Sequence, residues 1–277
     1  MYYDKNLTER PGKYMKEWGN KNHVIITSGK GASCFSVLVS DLIPNLNCLT
    51  ATQGFLRFNE SREPGLLTDF DNVNSEFAQK LGININDIFP YVYALLNSNS
   101  YQQRYANDLR KNLARIPTVK DVSKYVAIGK QLIDLHLNYE EVPVYDDVDI
   151  QYKGRPSYKV TKMKFAKKRN PETHKLDKDR STIIFNDSIT ISDIPEKAYQ
   201  YIVNGRSAIE WIMDQYRVKI DKKSGITDDP NDFSDYPKYI FNLLLSIINV
   251  SVQTVDLINQ LPKFEVDKSF YKDDGEE

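Results

Sequence analysis

The chain has 277 residues, 40% of them hydrophobic and 27% charged, with a net charge of −1. That balance suits one large or two small globular domains with a sizeable core and excludes a wholly disordered chain. No run approaches the ~18 apolar residues of a membrane span, the polar start MYYDKNLTERPGKY is not a signal peptide, and two cysteines exclude a disulfide framework.

In chain order, Met1-Tyr2-Tyr3 enters structured-looking sequence abruptly, as expected of a piece whose upstream part lies elsewhere. His23–Ile26 and Phe35–Val39 read as short strands about the turn Ser28-Gly29-Lys30-Gly31, and Leu49–Phe58 as another. That turn is not a phosphate loop, because Val24 and Gly31 stand where such a loop needs a glycine and a Ser or Thr. Glu60–Asn74 reads as a loop around Pro64-Gly65. Ser75–Leu81 reads as a short helix capped by Ser75.

Ile85–Pro117 is the clearest helical block. Asp87 can cap it, and Pro90 sits in the first turn, where proline is tolerated. Tyr91, Ala94, Leu95, Tyr101, Tyr105, Leu109 and Leu113 recur at three-to-four-residue spacing. Asn97–Ser100 divides the block, and Ile116-Pro117 ends it. A further helix spans about Val119–Tyr139, with His136 as a core or boundary histidine. The acidic stretch Glu140–Asp149 marks a lobe boundary.

Tyr158–Phe165 alternates, with Thr161, Met163 and Phe165 on one face and Lys162 and Lys164 on the other. Thr182–Phe185 and Ile189–Ile191 are further strands, and the basic AKKRNPETHKLDKDR reads as a long loop of a β-hairpin. Two helices are expected across Glu196–Tyr216, opened by Pro195 and interrupted by Asn204-Gly205. The second would bury Ile209, Trp211 and Ile212. A last helix runs from Tyr236 to about Leu261, before an acidic, disordered tail. The predicted class is α+β with two lobes. Residues 1–145 combine short mixed strands with a helical hairpin, 146–265 combine the basic β-hairpin with C-terminal helices, and 266–277 form the tail.

Charge is unevenly distributed. Lys153–Arg180 carries eleven Lys/Arg against three Asp/Glu, a local balance of +8, and Tyr101–Lys130 carries seven against two, +5. Ser224–Glu277 carries four against eleven, −7. Basic stretches beside an acidic remainder fit a binding face for a polyanion, with an ordinary solvated face as the alternative, above all for the helix carrying Gln102, Gln103 and Arg104. The candidate DNA-binding residues are Gln102, Gln103, Arg104 and Lys111 in the first stretch of helices. In the basic hairpin they are Lys162, Lys164, Lys167, Lys168, Arg169 and Arg180. Arg and Gln pair bidentately with base edges, whereas Lys serves phosphates. No catalytic or metal-ligand motif emerges. His23, His136 and His174 have no ligand spacing, no nucleophile elbow exists, and Asn170-Pro171-Glu172 lacks the second proline and the aromatic of a methyltransferase tetrapeptide. Cys34 and Cys48 are expected as partly buried thiols.

One family brings these features together. IPEKAYQYIVNGRSAIEWIMDQYRVKIDKKSGITDDPND, from Ile194 to Asp232, resembles the C-terminal specificity domain of Type ISP restriction-modification enzymes. So, in the same order, do Tyr2-Tyr3-Asp4, the FPYVYALLNS run from Phe89 to Ser98, Tyr101 and Tyr105, Ala114-Arg115-Ile116-Pro117, and Gly129 with the LIDLHL run to Leu137. Phe185-Asn186, Ile194-Pro195 and Tyr236-Pro237 with the last helix complete the likeness. The resemblance implies a module that recognises a short asymmetric duplex DNA sequence for an upstream adenine methyltransferase of the same polypeptide. It also implies a parent that is an ATP-dependent restriction endonuclease and methyltransferase using ATP, Mg and S-adenosylmethionine. No cofactor or catalytic residue is expected in this chain itself, nor any membrane partner, and a cytoplasmic place in bacterial defence is implied. The alternative is a scaffold domain that docks the methyltransferase or helicase-like ATPase and touches DNA only weakly.

Overall fold

The computed structural model describes residues 22–45, 47–60, 69–71 and 74–270. The expected handover at Tyr2-Tyr3-Asp4 and tail residues 271–277 lie outside the described residues. The chain folds as α+β in two compact units. One is built from residues up to Leu137 together with those from Asp256 onward, the other from Asn138–Val255.

In the first unit, β1 (Val24–Thr27) is the centre of an antiparallel sheet between β2 (Val37–Ser40) and β3 (Gln53–Leu56). All four β1 residues are buried, because both faces and both edges are covered. The Ser28–Gly31 segment is a turn, as read from the sequence. Gly31 has φ +86°, and a Cβ on Gly29 would lie 2.2 Å from the Ala51 carbonyl oxygen, so each position favours glycine for a different reason. The expected Leu49–Phe58 strand is interrupted at Arg57. A second short strand, β4 (Phe58–Glu60), pairs with β5 (Asp69–Asp71) within what was expected to be loop.

Helix α1 (Ser75–Leu81) is capped by Asn74, not Ser75: its side chain accepts from the Glu76 and Phe77 amides. Asp87 likewise makes no capping bond to α2 (Ile88–Asn97). It holds Lys130 in an ion pair instead. Ser98 is extended and caps α3 (Asn99–Arg104), as the Asn97–Ser100 break implies. Tyr105 then interrupts the helix before α4 (Ala106–Lys111), which ends well short of Pro117. Helix α2 crosses α5 (Val122–Leu137) through the fully buried Tyr91, Leu95, Tyr125 and Leu132. Each such side chain contributes about 1.5–3 kcal/mol of burial. Of the expected tail, Val266 bridges to Val119, and the Asp267 amide donates to the Thr118 carbonyl.

The second unit is organised by an antiparallel sheet in the order β6 (Asp149–Tyr152), β9 (Ile189–Ser192), β8 (Leu176–Ile184), β7 (Lys164–Arg169). Its inner face, with Ile183, Phe185, Ile189 and Ile191, packs on Ile240, Leu244 and Ile248 of α7 (Tyr239–Asn259). Although α7 is long and apolar enough to cross a membrane, against the expectation of no such run, 67% of its most apolar window is buried in the protein. That burial marks a core helix. Ser251 and Thr254 survive inside it by donating to the Ile247 and Val250 carbonyls one turn back.

The two helices expected across Glu196–Tyr216 are only one. Glu196–Tyr199 is a single 3₁₀ turn, and Asn204-Gly205, with φ of +51° and +80°, turns a small hairpin of β10 (Ile202–Val203) and β11 (Arg206–Ser207). Both central residues at positive φ make it a type I′ turn, the Asn-Gly signature. Helix α6 (Ala208–Gln215) follows with a full Ser207–Glu210 capping box. Ile209 is core as expected. Trp211 and Ile212 are only half-buried, and the Trp211 indole N–H donates to the Val203 carbonyl at 2.8 Å, clamping the hairpin to the helix.

Candidate nucleic-acid interface

The basic segment expected as a loop is two strands about a six-residue turn, residues 170–175. Lys164–Arg169 pairs with Leu176–Ile184, with a shift of register between Phe165 and Ala166. Residues 158–163 precede the strand instead of forming it; Thr161 is exposed, while Val160 and Met163 are buried. Only Ile183 and Ile184 of β8 pair with β9, so Leu176–Asp179 and Ala166–Arg169 form a two-stranded ribbon beyond the sheet. Isolated hairpins are marginal, and this one is braced at its root. The Phe165 ring lies 5.9 Å from that of Tyr199, and Lys178 Nζ sits 5.9 Å above the Phe165 ring.

The ribbon is rich in cations, and of these Lys168 has carboxylates nearby: it faces Asp177 across the ladder and, after the Ser181 hydrogen bonds, helps to draw down the Asp179 pKa. Lys164, Lys167, Lys168 and Arg169 are all exposed, and among the described residues no carboxylate lies within ion-pair distance of them. Lys167 faces Lys178 directly across the ladder. Like charges in that register destabilise a ribbon, and an anion lying across both would relieve the repulsion. Lys162 is exposed just before the strand. Arg180 differs from these: it pairs with Glu210 at 3.5 Å and lies 5.5 Å over the Tyr199 ring.

The ribbon's turn is ordered by Asn170. Its Oδ1 accepts from the Glu172 and Thr173 amides, and its Nδ2 donates to Asp177 Oδ2 at 2.8 Å. The His174 amide closes on the Asn170 carbonyl with His174 at φ +55°. Lys175 and Lys178 add exposed cations that the sequence reading did not single out.

In the first unit, Gln102, Gln103 and Arg104 lie on α3, and Lys111 ends α4. The single groove-reading helix expected there does not exist, because each of these helices has six residues. Gln102 is half-buried, with its amide donating to the Leu96 carbonyl at 2.7 Å. Arg104 lies 5.6 Å over the Phe264 ring. Gln103 and Lys111 are exposed. Beside them is a cavity of about 460 Å³ lined by Tyr101, Tyr105, Asp108, Leu113 and Arg115 among others. Burial pushes the Tyr101 hydroxyl up to about 12, and it donates to the Arg115 carbonyl at 2.7 Å. Among the described residues no group of His, Cys, Asp or Glu is placed to hold a metal ion. Both cysteines are half-buried free thiols.

The family model of the Type ISP C-terminal specificity domain matches residues 1–243. The chain belongs to that family. Two solved Type ISP enzymes share its fold at close to half identity. A nuclease-deletion mutant of LlaGI in complex with a DNA substrate mimic is 47% identical over 90% of this chain, with a TM-score of 0.74. LlaBIII bound to DNA is 46% identical over 90% of it, with a TM-score of 0.78. A DrdV–DNA complex is 25% identical over 95%, with a TM-score of 0.76. The present specificity domain spans only 18%, 16% and 27% of those chains, respectively. No curated protein matches it.

Proposed function

We propose that this Type ISP specificity domain recognises a short duplex DNA sequence and presents the target adenine to a methyltransferase elsewhere in a longer polypeptide. The observation that carries the reading is the free-standing basic ribbon. A two-stranded β-ribbon fits the major groove, ~12 Å wide, and among the described residues no carboxylate lies within ion-pair distance of Lys164, Lys167, Lys168 or Arg169. Such cations bind phosphates and set register, while a few polar groups select bases. The adenine would be flipped from the stack for methylation. ATP, Mg and S-adenosylmethionine, and the nuclease and translocase activities, belong in this reading to the rest of the polypeptide, which works in the cytoplasm in defence against foreign DNA.

Selection from a random duplex library with the 277-residue chain tests the proposal. Enrichment of one asymmetric site is the expected result. No enrichment even at low salt, together with tight binding to methyltransferase or ATPase domains, would favour a scaffold instead. The exposed Ile220, Ile226, Phe233 and Tyr236, 53–68% accessible, are the surface such docking would use.

A further inference from the structure

The ribbon's dimensions divide its residues into two classes, on the premise that it enters duplex DNA as proposed above. The major groove is ~8.5 Å deep, and a strand advances ~3.4 Å per residue, so a ribbon entering tip-first places only about two or three residues per strand below the phosphate rim. Counting back from the turn, residues 170–175 fall below it, with Glu172 and Lys175 as the charged members apart from His174. Arg169 and Leu176, paired across the ladder, come level with the rim. Lys167, Lys168 and Lys178 stand above it, beside the phosphates.

Glu172 is out of character for a phosphate-binding tip. Of the three carboxylates between Lys162 and Arg180, Asp177 accepts from Asn170 and Asp179 from Ser181, whereas Glu172 lies at the tip itself. It is exposed, and its amide N–H, not its carboxylate, is engaged in the turn, by Asn170 Oδ1 at 2.9 Å. Near phosphate such a carboxylate would be repelled. At a base edge it can accept from the N4 amino group of cytosine. Asn170 holds the tip through its bonds to the Glu172 and Thr173 amides and to Asp177, so the carboxylate is presented from a set backbone, with little ordering left for binding.

We propose that Glu172, at the tip of the Lys164–Ile184 ribbon, reads a cytosine in the major groove, and that Asn170 is its positioning residue. The experiment is random-duplex selection followed by titrations of the selected site and single-base variants, with the wild-type chain, Glu172→Gln and Asn170→Ala. Circular dichroism and thermal melting check folding; both substitutions lie on an exposed turn. Glu172→Gln is expected to keep general duplex binding and its salt slope. Discrimination at one C·G pair should fall on the order of 10- to 100-fold, with the preference there moving toward adenine. Asn170→Ala should blunt discrimination at the same pair and its neighbours with the salt slope unchanged. If the wild type selects a site and Glu172→Gln selects the same one with equal discrimination, the assignment of Glu172 fails and the recognition reading stands. If the wild type selects no site, both fail together.

Discussion

Tyr93 and His136 form a buried pair joined by one hydrogen bond of 2.6 Å between the hydroxyl and Nδ1. Burial brings the His136 pKa down to about 4 from an ordinary value near 6.5. The folded protein therefore refuses a proton that the unfolded chain accepts between those values. Stability is complete above pH ~6.5, falls as pH drops through the window, and is level below pH ~4. The loss from this one group is about 3 kcal/mol. His23 is shifted in the same direction, first by burial and then by Arg57, so it adds to the slope. In His136→Gln the amide can still meet the Tyr93 hydroxyl but does not titrate. Urea unfolding midpoints measured from pH 4 to 7 should therefore vary less in the variant than in the wild type. Equal pH dependence in the two would show that His136 is not buried neutral.

Between elements, the crossing of α2 and α5 turns on Gly129. A Cβ there would lie 2.0 Å from the Pro90 carbonyl oxygen. Backbone cannot swing aside as a side chain does, so Gly129→Ala must part the helices that bury Tyr91, Tyr125 and Leu132. Overpacking of this kind costs about 2–3 kcal/mol, roughly 5–10 °C of Tm for a unit this size. Gln131→Ala, on the exposed side of the same helix, should stay within about 0.5 kcal/mol of wild type. A melting comparison decides between them. These two helices were legible because each repeats apolar residues at helical spacing against one core. The basic ribbon was not, since neither strand has a core face beyond its root and period-two hydrophobicity has nothing to report. Glu196–Tyr216 misled for another reason: Ala198, Tyr199 and Ile202 fall at helical spacing, while the decisive signal, Asn204-Gly205, is a two-residue turn that reads as a mere interruption. At the candidate interface, cation density was legible, because it is a count along the chain. Availability was not, because Glu210, the Leu96 carbonyl and the Phe264 ring, which occupy Arg180, Gln102 and Arg104, come from elsewhere in the chain.

Over the whole molecule, a net charge of −1 gives no general attraction to a polyanion. Fields from the acidic C-terminal stretch and the basic ribbon are screened over ~10 Å at 0.1 M salt, so affinity for DNA must come from local interactions. That separates two accounts of the same titration. Reversing Lys167, Lys168 and Arg169 to Glu changes net charge by the same amount as reversing Lys219, Lys222 and Lys223 on the hairpin of β12 (Lys219–Ile220) and β13 (Thr227–Asp228). If net charge governed binding, the two triple variants would weaken alike. If the ribbon holds phosphates, only its reversal should do so, equally for every duplex. The slope of log K against log salt should then drop by about 0.9 for each phosphate no longer neutralised, close to 2.7 for all three. Titrations of both variants against duplexes of unrelated sequence between 50 and 200 mM salt, on the order of the range where such slopes are resolved, supply the comparison. A ribbon variant with unchanged affinity and slope would remove the phosphate role from these residues, because no other process leaves a counterion-release slope untouched while three phosphate-binding charges are inverted.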